Sequence, residues 1–154
     1  MTATKPFTQS PKTYFGILLK TRFQKRGWFF ILLFALALLH LYWYFTNDTY
    51  GNLVWAFICV AILLGIVVYL YQFAHAQSNQ EFLSEKQLFF DSEKIKIVDA
   101  KGNEGIIPYD NILFSKETSH YWLLYIAKTQ FFYIPKSIFN TPEDFQLFQN
   151  YLNS

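Results

Sequence analysis

The chain has 154 residues, of which 53% are hydrophobic, 21% aromatic and 16% charged, with a formal net charge of +2. Such a composition excludes a disordered chain, and a single cysteine excludes a disulfide scaffold or a Cys-based zinc module. The length allows one or two small units and no large enzyme fold, and the near-neutral total gives no case for nucleic acid as a partner.

Residues 1–27 carry Lys5, Lys12, Lys20, Arg22, Lys25 and Arg26 and no acid, a net of +6. Ser10 followed by Pro11 reads as an N-cap and first helical position. The mixture of apolar and basic residues over 11–26 predicts a short interfacial helix. Two almost purely apolar windows follow, 28–45 and 53–73. At ~1.5 Å per residue they reach roughly 27 and 31 Å, against ~30 Å for the hydrocarbon thickness of a bilayer. The competing reading, buried core helices, fits poorly with a circumference that is apolar all round. Trp28 and Phe29 at one end, Tyr42, Trp43 and Tyr44 at the other, and Trp55, Tyr69 and Tyr71 on the second window read as interfacial belts. A cleaved signal peptide is disfavoured, because 27 residues precede the first window and no small-x-small site follows it.

The short loop 46–52 forces an antiparallel hairpin, with Gly51 and the Asn47-Asp48 pair suited to a tight turn. Charge sets the expected topology. The cluster Lys20, Arg22, Lys25 and Arg26 abuts the first span, which places the N-terminus on the cytoplasmic side. Two spans then return the C-terminal region to the cytoplasm, in a multi-pass protein of the inner or cytoplasmic membrane. The same cluster could touch anionic headgroups at about 1 kcal/mol per residue, or serve as a topology signal alone.

After a linker over 74–87, residues 88–154 show short strands between turn signals. The expected strands are Leu88–Asp91, Lys94–Asp99, Ile106–Tyr109, Ile112–Thr118, Tyr121–Ala127 and Phe131–Ile134. Tyr121–Ala127, the most apolar, should be central. Pro108 and Pro135 belong at strand ends. Lys128-Thr129-Gln130 reverses the chain. Thr141-Pro142-Glu143-Asp144 opens a final helix whose stripe of Phe145, Phe148, Tyr151 and Leu152 should cover the sheet. The fold class is therefore a membrane α-helical hairpin plus a small α+β cytoplasmic domain, an antiparallel sheet capped by a C-terminal helix. So small a core would be marginal alone.

Four segments of this second half resemble a known family. They are Ile107-Pro108-Tyr109-Asp110-Asn111-Ile112, Tyr121-Trp122-Leu123-Leu124-Tyr125, Tyr133-Ile134-Pro135-Lys136-Ser137-Ile138-Phe139, and the Thr-Pro-Glu-Asp helix start. Together they resemble the YcxB-like family of bacterial membrane proteins. That resemblance implies two transmembrane helices followed by a pleckstrin-homology-like cytoplasmic domain. It implies no catalytic residue.

Few residues invite chemistry. His40 is the ionisable group inside a span, open to a proton or ligand role or to hydrogen bonding across the hairpin. Ala61 and Gly65 form a small-xxx-small pair, which serves packing against the first span or homodimerisation. Lys128 and Lys136 flank a strand and could bind an acidic headgroup or stand as solvated charges. His75 and His120 lack partners at metal-ligand spacing, Cys59 reads as a packing residue, and the Asn47-Asp48-Thr49 sequon as chance. No phosphate loop, serine elbow or paired carboxylates appear, so neither an enzyme nor a cofactor is expected. The functional expectation is a membrane-anchored binding or regulatory module that recognises a protein or lipid headgroup. The alternative is an accessory or structural subunit acting through its hairpin. Membrane lipids, an unidentified protein and a second copy are the partners these readings allow. A channel would need a polar pore lining, which the spans do not offer.

Overall fold

A computed structural model describes residues 1–47, 49–128 and 130–153. Asp48, the charge of the expected loop and centre of the sequon, and Thr129, in the expected reversal, lie outside the described residues. The elements in chain order are β1 (Thr2–Ala3), α1 (Pro11–Asn47), α2 (Tyr50–His75), α3 (Gln80–Leu83), β2 (Lys86–Phe90), β3 (Lys94–Asp99), β4 (Glu104–Pro108), β5 (Phe114–Glu117), β6 (Tyr121–Tyr125), β7 (Phe131–Pro135) and α4 (Pro142–Asn153). They form two compact units: residues 10–82, and residues 1–9 together with 83–154.

The first unit is a helical hairpin. Ser10 caps α1 as expected, its Oγ accepting the Thr13 N–H at 3.1 Å, and Pro11 costs nothing where its missing N–H would be unsatisfied anyway. The expected helix over 11–26 and the first span are two helical segments of α1 that meet at a kink. The kink is at Arg26, whose φ of −137° and ψ of 28° are non-helical, beside Gly27, a residue that weakens helix propagation. Leu33, Ala37 and Cys59 form the centre of the α1–α2 seam, flanked by Phe29, Leu36 and Leu63. Ala56 and Ala74 are buried on the same side of α2, so small residues let the two backbones approach closely. Nearer the start of α1, Tyr14 and Phe15 pack on Phe73 and Tyr71, with centroids 6.4 and 5.7 Å apart. The outward surfaces stay apolar, with Trp28 66%, Ile31 72%, Phe57 67% and Leu64 60% exposed.

The second unit is a small domain of two antiparallel sheets, in the orders β1-β2-β3-β4 and β5-β6-β7. In β3 the alternation of Lys94 and Lys96 with Ile95 and Ile97 puts both isoleucines into the core. β6, predicted central, is the middle strand of its sheet, with Trp122 opposite Ile134. Pro108 and Pro135 end their strands, where no ladder donor is required. One face differs from expectation. Ile112 precedes β5 and packs toward the core, whereas Phe114 is exposed and stacks on Tyr125 at 4.2 Å.

α4 begins at the predicted Pro142, with the Thr141 Oγ1 accepting the Asp144 N–H at 3.1 Å. It lays Phe145, Phe148, Tyr151 and Leu152 on the core. Phe148 is fully buried among Phe90, Trp122 and Phe139, at centroid distances of 5.2, 5.5 and 5.2 Å. Burial of such a ring is worth roughly 3–5 kcal/mol against truncation to alanine.

The domain is completed by the first residues of the chain, which the sequence reading placed in a separate basic segment. Thr2 and Ala3 pair with Phe90 and Phe89. Thr4 is buried, its Oγ1 accepting the Leu88 N–H and donating to the Leu88 carbonyl, both at 3.2 Å. Phe7 and Lys86 exchange a pair of backbone hydrogen bonds at 2.8 and 2.9 Å. The helical hairpin is thus inserted between two strands that pair with each other.

Candidate functional site

A concentration of positive charge beside a groove lies at the kink in α1. Arg22, Lys25 and Arg26 fall at i, i+3 and i+4, so a regular helix would gather them on one face. With Trp28, Phe29, Phe30 and Ile66 they line an open groove of about 440 Å³, within the ~300–1,000 Å³ of small-ligand sites. Phe30 is buried and stacked on Phe23 at 4.3 Å, which makes one wall rigid. A second groove of about 250 Å³ adjoins it, sharing Arg22 and Ile66 and continuing along Ile62, Gly65, Tyr69 and Leu70. One end is cationic and aromatic, the other apolar. Neither α1 nor α2 contains an Asp or Glu. Lys20, the fourth residue of the basic cluster, is exposed and does not line either groove.

His40 sits near the opposite end of the hairpin. Its Nδ1 lies 3.3 Å from Asn52 Oδ1, a hydrogen bond from α1 to α2. Its ring stacks over Trp55 at 6.3 Å and meets Trp43 edge-on at 5.8 Å. The arrangement gives the imidazole a polar partner and an aromatic sleeve, the cross-hairpin bond that the sequence allowed.

Ala61 and Gly65 do not pack against α1. Both are exposed, and a Cβ on Gly65 would meet no atom within 4 Å. The seam uses Ala56 and Cys59 instead, because the two pairs project from different sides of α2.

Lys128 and Lys136 are not brought together. Tyr121 pairs with Pro135 and Tyr125 with Phe131, so Lys136 follows one end of this strand pair and Lys128 the other. Four residue steps of strand, at ~3.3 Å each, separate the ends, too far for one headgroup to bridge. Lys136 is also engaged: its Nζ lies 2.5 Å from Glu117 Oε1 and 4.9 Å from the centroid of Trp122. It is a clasp between strands and helix rather than an open cation.

Two carboxylates of the domain hold turns. Asp91 accepts the Glu93 and Lys94 N–H groups at 3.0 and 3.1 Å, which holds its carboxyl below the usual range. The Asn103 side chain and backbone do the same for Asp99, at 2.8 Å each. Burial, with the Asp91 charge nearby, raises the Tyr109 phenol. Its hydroxyl is buried with no hydrogen-bond partner among the described residues. Burial lowers Lys86, partly offset by Asp99.

A two-sheet antiparallel domain with a covering C-terminal helix, carried on two long apolar helices, defines the class of protein. Residues 90–152, from the end of β2 through α4, match the family model described as YcxB-like protein. The match leaves out the hairpin and β1. No curated protein and no solved structure matches the chain.

The basic cluster, His40, the small-residue pair and the two lysines were all visible as residue types. The grooves were not. A bend at Arg26 and the approach of Ile66 depend on tertiary packing, for which Gly27 is the one local signal.

Proposed function

We propose that this chain is an integral membrane protein in which the α1–α2 hairpin anchors a small, pleckstrin-homology-like binding module. The observation that carries the reading is the outward surface of the hairpin. In each helix the most apolar window is only 17% buried, whereas a soluble core helix of that hydropathy hides most of its side chains. The insertion of the hairpin into the domain supports an even number of crossings, because residues 1–9 and 83–154 share one sheet. The basic residues before Trp28 favour the cytoplasmic side for that sheet. The domain is a non-catalytic module that holds a protein or lipid ligand at the cytoplasmic face.

Cysteine labelling tests this arrangement. On a Cys59→Ala background, Gly51→Cys, Thr8→Cys and Ser119→Cys are treated with a membrane-impermeant maleimide. Gly51→Cys is expected to react in intact cells, and the other two only after permeabilisation. Labelling of Gly51→Cys and Ser119→Cys from the same side would sink the reading.

A further inference from the structure

We propose that residues 1–9 are an exchangeable arm: the segment that completes the sheet beside β2 in one copy of this chain is supplied by a second copy, which takes the first copy's arm in return. Such a pairing does not depend on the hairpin crossing a membrane.

The arm lies on the domain as an extended peptide lies in a groove, with its backbone read from both walls. On one side Thr2 and Ala3 pair with Phe90 and Phe89, and the Thr4 N–H donates to the Leu88 carbonyl at 2.9 Å. On the other, the Lys5 N–H donates to the Ile138 carbonyl at 2.7 Å, and Asn140 Nδ2 donates to the Ala3 carbonyl at 2.8 Å. The arm therefore ties β2 of one sheet to the segment that follows β7 of the other. Side chains add selection. Thr4 is 2% exposed, its hydroxyl bonded to both backbone groups of Leu88, and Phe7 packs against the domain core. An occupant of this groove must be extended, with a hydroxyl followed three residues later by an aromatic ring.

A second copy meets that requirement by identity. Its residues 1–9 remake each of these bonds unchanged, so exchange leaves no donor unpaired, whereas an unrelated strand forfeits the Thr4 or Phe7 contacts. Sequence separation favours exchange as well. Thr4 and Leu88 are 84 positions apart, and a pairing so distant closes late, which leaves both the arm and the edge of β2 open to a neighbour. The connections are long enough. Thr8 to Ser10 join the arm to α1, and Ser84 and Glu85 join α3 to β2. At ~3.3 Å per extended residue these segments together reach roughly 16 Å, beyond the ~8–10 Å between the axes of packed helices. Two hairpins side by side can trade arms without unpacking. At the same joint, Gln9 is 5% exposed and its Nε2 has no hydrogen-bond partner among the described residues, a cost of the closed arrangement where exchange would open it.

Disulfide trapping in the full chain tests the exchange. On a Cys59→Ala background, Ala3→Cys on a chain with one tag is coexpressed with Phe89→Cys on a chain with another, and the lysate is oxidised with copper phenanthroline. The two positions face each other in the strand register, so a bond between the tags is expected. A chain carrying both cysteines, expressed alone, checks that the register forms. Thr4→Val then separates exchange from chance encounter. On the Ala3→Cys chain it weakens the visiting arm and should lower the interchain yield about fivefold. On the Phe89→Cys chain it weakens the resident arm and should raise that yield. Absence of an interchain bond while the double-cysteine chain closes on itself overturns the proposal, as does a yield that Thr4→Val changes on neither chain. A bond from the Phe89→Cys chain to a different protein, in place of the second copy, puts a foreign strand on β2 and overturns it equally.

Discussion

Single side chains in the domain do structural work that is easily mistaken for a site. Asp91 and Asp99 each sit in a turn and accept backbone N–H groups, and their carboxyls titrate below the usual range for that reason. The sign of the consequence is fixed. A depressed folded-state pKa contributes stability that is present above the unfolded value of ~3.9 and is lost as pH falls through the folded value. The domain is therefore expected to lose thermal stability as pH falls below about 4. Asp91→Asn/Asp99→Asn should flatten that acid limb while leaving the neutral-pH melting temperature within a few degrees. Scanning calorimetry of the full chain in nanodiscs at pH 5 and pH 3 checks it, and an unchanged acid slope in the double variant would refute it. Lys136 makes the complementary point. With its ammonium against Glu117 and over Trp122, it is a fastening between elements. A cation alone in sequence cannot be read as a headgroup contact until its neighbours are known.

At the scale of elements, α4 was legible in detail, as were the start of α1 at Ser10 and Pro11 and its division near Arg26. Thr141, Pro142 and the two acids announce the start of α4 because capping is local chemistry, and the Phe145/Phe148/Tyr151/Leu152 stripe follows from helical period alone. Replacing Thr141 with alanine is expected to cost about 1 kcal/mol, read as faster amide exchange across residues 142–152. Unchanged exchange would show that the cap contributes nothing. The strands were legible for the same reason, since alternation in β3 and turn residues around Gly102, with φ +83°, act over a few positions. What escaped was non-local. β1 is two residues long, below any periodicity, and its partner lies more than eighty positions away at Phe90 and Phe89. The outward direction of Ala61 and Gly65 escaped likewise, because a small-xxx-small spacing does not say which neighbour a helix face will meet. The grooves at Arg26 needed both a bend and a second helix, and composition records neither.

Across the whole molecule, the insertion of the hairpin between β1 and β2 is the feature with the widest reach. Phe7 and Lys86 already exchange backbone hydrogen bonds, so the chain ends flanking the hairpin lie a strand spacing apart within the domain. Excising residues 10–82 and joining Gln9 to Leu83 through a short glycine-serine turn should give a water-soluble domain with native strand pairing. Chemical shifts or amide protection at Leu88 and Ile97 would report it. A shortened domain that folds equally well without residues 1–9 would show that β1 is dispensable. The expected loss on removing them is large for so few residues. It deletes the backbone and Thr4 hydrogen bonds to β2 and leaves that edge open to pairing with other chains.

That discontinuity also imposes an order on synthesis. Residues 1–9 leave the ribosome before the hairpin and have no strand to join until everything through β2 has been made. The whole of 10–82 must be threaded into its surroundings during that interval. β1 is therefore made before the hairpin and can pair only after it, so its sheet cannot be completed until residues 10–82 have been synthesised.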